Sequence, residues 1–150
     1  MRLSMKKSFE QFARTKRWLI RLDDSSLEEK MDKEDPKYFE DILYEVFENC
    51  WHLKDWVKKS GEFDKKSVDD FFHQNVNMRL CQALANVSKH LKTDPHIEKI
   101  RIVRRTKPGR TNLKILTVFS ERGKGFDAVG LARACVKECG DFLVKNKIVR

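Results

Sequence analysis

The chain has 150 residues, with 32 lysines and arginines against 23 aspartates and glutamates, for a net charge of +9. This length suits one domain that buries roughly two-thirds of its unfolded surface without a covalent staple. It excludes a membrane-spanning protein, because no apolar run approaches a bilayer span or the core of a secretory leader.

Charge is unevenly placed. Residues 1–22 balance at +6, residues 23–88 at −7 and residues 89–150 at +10. Basic ends around an acidic middle suggest one surface for a polyanion and another for a basic partner. The plain alternative is charge that serves solubility. The four cysteines, Cys50, Cys81, Cys135 and Cys139, include no Cys-x-x-Cys pair and fall at or near helical core positions. They read as buried free thiols in a reducing cytoplasm.

In chain order, residues 4–22 read as a basic amphipathic helix. Phe9, Phe12, Ala13, Leu19 and Leu22 form its apolar face, and Trp18 lies off it. Asp23-Asp24-Ser25-Ser26 breaks the pattern, and 28–35 read as acidic loop. Pro36 opens the next helix, on which Phe39, Ile42, Leu43, Val46, Phe47, Cys50, Leu53 and Val57 keep strict helical spacing. Ser60-Gly61 ends it, with Gly61 suited to a left-handed cap. Tyr38, His52 and Trp56 share a flank of this helix, which suggests burial on two sides or a protein partner.

Ser67-Val68-Asp69-Asp70 resembles a capping box before a short helix with Phe71 and Phe72. Asn77 is the expected N-cap of a central helix, which ends before Thr93-Asp94-Pro95. The period then changes to two. Residues 97–105 and 113–120 read as strands of an antiparallel hairpin around Lys107-Pro108-Gly109, and 121–125 as a flexible connector. Asp127 is the expected cap of a last helix bearing Ala128, Leu131, Ala132, Cys135, Cys139, Phe142 and Leu143.

The expected fold is mainly α: a helical bundle with one antiparallel β-hairpin between the central and C-terminal helices. It is a single domain over 1–150. Its parts are a basic helix and acidic linker (1–35), a helical core (36–92), a basic hairpin (93–126) and a C-terminal helix (127–150).

Three constellations invite chemistry. On the central helix, Arg79, Asn86 and His90 recur on one face beside an apolar stripe. A histidine acid/base, an arginine holding phosphate and a carboxamide orienting or donating would suit phosphoryl transfer within RNA. The plain alternative is a solvated polar face. His52 and Asp55 lie one turn apart on the preceding helix and form a second candidate pair, with Asp55 fixing the imidazole tautomer. Arg101, Arg104, Arg105, Lys107, Arg110 and Lys114, followed by Arg122 and Lys124, crowd the hairpin. They suit a phosphate backbone, or else they guard a strand edge against aggregation. No ligand spacing indicates a metal, and no cofactor is expected.

His52-Leu53-Lys54-Asp55-Trp56, Arg79-Leu80-Cys81 and Leu84-Ala85-Asn86-Val87-Ser88-Lys89-His90-Leu91 resemble uncharacterised bacterial and phage proteins. Those share His-Leu-x-Asp-Trp and Ala-Asn-x-Ser-Lys-His helices and are similar to HEPN-type helical bundles. The resemblance covers roughly 36–92. It implies a metal-independent ribonuclease or RNA-binding protein of toxin or phage-defence systems, acting as a homodimer. Asn86 and His90 match that group's polar residue and histidine, while its arginine position falls on Ala85. Arg79 would then take over the phosphate, or the protein would be a non-catalytic interaction or nucleic-acid-binding module of a larger assembly. RNA is the expected nucleic acid rather than DNA, since no helix-turn-helix pair with a basic recognition helix is evident.

Overall fold

The computed structural model describes residues 3–25, 36–89, 100–106, 114–120 and 125–146, with side chains over 7–23, 41–86 and 127–146. The helices are α1 (Leu3–Ser25), α2 (Pro36–Ser60), α3 (Lys65–Gln74), α4 (Val76–Lys89) and α5 (Ala128–Asn146). The strands are β1 (Ile100–Thr106), β2 (Lys114–Ser120) and β3 (Gly125–Asp127).

The long helix α2 is the spine. Ile42, Leu43, Val46, Phe47, Cys50, Leu53 and Val57 are all buried on it, as their spacing requires. Phe47 accepts the Cys81 thiol at its carbonyl, 3.2 Å away, which seats α4 against α2. On α5, Ala128, Leu131, Ala132, Cys135, Val136, Cys139, Phe142 and Leu143 are buried. The Phe142 ring stacks on Phe71 at 4.5 Å and closes the core against α3. At α2's end, Gly61 takes φ +70°, the left-handed turn its missing Cβ permits.

α1 lies on α2 through a seam the sequence did not announce. Ser8, Gln11 and Thr15 are buried together with Leu22, while Phe9, Phe12 and Leu19 are only half-buried. The Gln11 amide donates to the Asn49 carbonyl at 3.4 Å and side-chain oxygen at 3.2 Å, and the Ser8 hydroxyl donates to the Trp56 carbonyl at 3.2 Å. These bonds satisfy the polar groups that burial takes from water. They also run antiparallel: later residues of α1 meet earlier residues of α2. Gly140 completes the fit, since a Cβ there would stand 2.9 Å from the Phe12 ring.

Both cap assignments shift. The N-cap of α3 is Asp64, whose carboxylate accepts from the Ser67 backbone N–H at 3.1 Å and hydroxyl at 2.9 Å. Ser67 therefore sits inside the helix rather than opening it. For α4 the cap is Asn75, not Asn77: its side-chain oxygen accepts from the Met78 N–H at 3.1 Å. Its own N–H closes α3 on the Phe71 carbonyl, and its carbonyl opens α4 by accepting from Arg79. Asn77 instead donates to Glu138 of α5 at 3.1 Å. Asp127 does cap α5, accepting from the Val129 N–H at 3.2 Å.

The expected fold class needs correction. Helix accounts for 93% of the residues whose side chains are described, in five helices, and no hairpin is built among them. Beyond them, the backbone of β1, β2 and β3 pairs as a three-stranded antiparallel sheet in that order, not as a lone hairpin. Gly125, read as the last residue of the connector, instead opens β3, whose Gly125-Phe126-Asp127 pairs with Thr117–Phe119. A two-stranded ribbon is marginal by itself, and a third strand adds the pairing it lacks.

Candidate functional site

The candidate stripe on α4 is best judged by what surrounds it. Met78, Leu80, Cys81, Ala83, Leu84 and Ala85 are all buried, so most of the circumference of α4 is closed off. Arg79 is exposed and Asn86 half-exposed. Seven residues of helix return to within about 20° of the start and rise about 10.5 Å. The two side chains therefore share the open side, two turns apart. Helical side chains all lean toward the N-terminus, so the lean does not close the two-turn gap between them. Along the described part of α4 they form a row. Arg79 takes part in no ion pair among the described residues. His90 lies outside the described residues, so the stripe is described only up to Asn86.

Ala85, which falls on the arginine position of the resembling group, is 2% exposed. A guanidinium has no room there without displacing the core.

His52 and Asp55 are not brought to this row. Phe47 meets α4, and His52 lies five residues on, about 140° around α2 from it. His52 is half-buried and Asp55 exposed. The flank they share with Trp56 is partly occupied by the protein itself, because α1 crosses it and bonds to the Trp56 carbonyl. Trp56 keeps 40% of its surface exposed, and the Tyr38 side chain lies outside the described side chains.

Of the basic residues assigned to a hairpin, Arg101, Arg104 and Arg105 stand on β1, opposite Phe119, Leu116 and Ile115, and Lys114 opens β2. Only their backbone positions are described. Lys107, Arg110, Arg122 and Lys124 lie outside the described residues.

All four thiols meet in the core. The Cys50 and Cys139 sulfurs are 3.4 Å apart, the Cys139 thiol approaches the Met78 sulfur at 3.7 Å, and Cys135 donates to the Asn77 carbonyl at 3.5 Å. The Cys139 and Cys81 thiols turned toward Cys50 hold its pKa down to about 5, against the cost of burial. Burial pushes Cys81 well above the ordinary thiol range, and the bond to Cys50 together with burial does the same for Cys139. Among the described residues, no group of three or more His, Cys, Asp or Glu is placed to hold a metal ion. No described helix is long and apolar enough to cross a membrane.

No protein-family model, curated protein or solved structure matches the chain.

One feature was missed in the sequence. Arg14, Arg17, Trp18 and Arg21 of α1 line an open depression of about 400 Å³, with Glu45 and Asn49 of α2 beneath them. The offsets of three, four and seven were the available signal. Counting those arginines only toward the charge of a basic amphipathic helix, and Trp18 as a residue off its apolar face, concealed that they belong together.

Proposed function

We propose that the protein is an RNA-binding helical module of HEPN-like type that holds a single strand by its phosphates. The observation that carries the reading is the row on α4: an exposed Arg79, in no ion pair among the described residues, aligned with Asn86 on the open side of a helix otherwise closed into the core. A row about 10.5 Å long suits successive groups along a backbone better than one reacting phosphate. The +10 balance of residues 89–150 supplies the accompanying field, with Arg101, Arg104 and Arg105 close together on β1.

Cleavage is the second reading, and the buried Ala85 counts against it. Without a guanidinium beside Asn86, His90 would lack the neighbouring cation that stabilises a charged phosphorane. The test is an RNA titration across salt concentrations with the unmodified protein and Arg79→Ala. Loss of one phosphate contact lowers the slope of log K against log salt by about 0.7 for a single strand. An unchanged slope removes Arg79 from the interface. If the protein cuts RNA and His90→Ala abolishes cutting at unchanged stability, the catalytic reading replaces the binding one.

A further inference from the structure

The depression between α1 and α2 has a definite polarity. Its rim is cationic: Arg14, Arg17 and Arg21 are exposed and fall within about 60° of one another around α1. None of the three is in an ion pair among the described residues, although Glu45 lies in the same depression. Its floor is not cationic. Glu45 accepts a hydrogen bond from the Asn49 amide at 3.3 Å, and that amide also donates to the Glu45 carbonyl at 2.7 Å. On the α1 side of the depression, the Arg21 guanidinium lies over the Trp18 ring, 4.7 Å from its centre.

These parts constrain the ligand. Three guanidiniums on one wall call for negative charge. The Glu45 carboxylate excludes that charge from the floor, so the anionic end of a ligand stays at the rim. The part that enters is uncharged and flat enough to lie against the Arg21 guanidinium and the Trp18 indole. Nucleobases stack on both aromatic rings and guanidinium planes, whereas an acidic peptide would set carboxylates against Glu45 and bring no plane to the stack. We propose that this groove receives one nucleotide of a single-stranded RNA, with its phosphate on Arg14 and Arg17 and its base against the Arg21–Trp18 pair. The inference rests on the RNA-binding reading and adds to it a site on a different helix from Arg79.

The test is fluorescence anisotropy of an end-labelled eight-nucleotide single-stranded RNA, on the full chain, between about 50 and 200 mM salt. Arg14→Ala/Arg17→Ala should weaken binding more than about tenfold and reduce the salt slope by about 1.4, two contacts' worth. Arg14→Lys/Arg17→Lys should keep most of the slope. Trp18→Ala should lose about tenfold, and Trp18→Phe, which keeps a ring and the packing, should retain most of the affinity. Lys65→Ala/Lys66→Ala removes equal charge from exposed positions on α3 and should change affinity by no more than about twofold. If the unmodified chain binds RNA and the arginine pair weakens it no more than the lysine pair, the groove is refuted while RNA binding stands. If the unmodified chain binds no RNA, both fail. If a nucleoside monophosphate occupies the groove and the strand does not compete with it, the strand is the wrong ligand.

Discussion

Asn75 lies at the junction that aims α4, and its replacement tests the fold where the fold positions the candidate row. Its side-chain oxygen caps Met78, and its backbone closes α3 and opens α4. Asn75→Ala keeps both backbone bonds and deletes only the cap. Such deletions cost about 1 kcal/mol, within roughly 0.5–2. For a chain of this size, that lowers Tm by about 2–4 °C. Asn75→Asp should be neutral or stabilising, since it caps equally well and places a negative charge at a helix N-terminus.

Asn77, the cap favoured by sequence alone, gives the contrasting case. Asn77→Ala removes a donor from Glu138, whose other carboxylate oxygen is buried without a partner among the described residues. That loss is also destabilising, by about 1–3 kcal/mol, but its cause lies on α5. A double-mutant cycle separates the two. In a Glu138→Ala background the cost of Asn77→Ala should largely vanish, while the cost of Asn75→Ala should persist. The readout is the urea midpoint by circular dichroism. If Asn75→Ala is neutral, or the Asn77→Ala cost survives loss of Glu138, the cap assignment is wrong.

Phe72, 1% exposed and edge-on to Trp51 and Phe71, should cost about 3–5 kcal/mol as Phe72→Ala and shift Trp51 emission, whereas a change below about 1 kcal/mol would deny the aromatic core. The four cysteines are 0% exposed, so an aromatic disulfide reagent should titrate no thiol in the native protein and four in denaturant, access outweighing the lowered pKa of Cys50. That lowered pKa also sets a pH dependence: with about 5 folded against 9.0 unfolded, the unfolded chain binds more protons in between, so stability rises with pH over that window. Above 9.0 the raised Cys81 and Cys139 reverse the sign, and Cys50→Ala should flatten the rise measured by urea midpoints at pH 6 and pH 9. A profile that Cys50→Ala leaves unchanged would place the titration elsewhere.

The helical core was legible because burial along α2 and α5 follows a period that one dimension can display. Phe47, Cys50 and Leu53 on α2, and Leu131, Cys135 and Cys139 on α5, face inward as their spacing requires. Gly61 and Asp127 were legible because a left-handed turn and an N-cap are made by the residues nearest in sequence. Asn75 and Asn77 show the limit of that rule: both have capping chemistry, and only the position of Glu138 on another helix assigns Asn77 elsewhere.

Composition and periodicity by themselves determined a helical core, four inward-facing thiols and a chain basic at both ends, because each depends on residue type and on neighbours a turn or two away. Tertiary structure alone decided that polar bonds from Ser8 and Gln11 join α1 to α2, that His52 faces away from α4, and that three arginines and a tryptophan share a groove with Glu45. Those outcomes depend on which helix comes to rest against which, and partners such as Gln11 and Asn49, 38 residues apart, find each other only when two faces dock. No periodicity within one helix records the angle at which another will meet it.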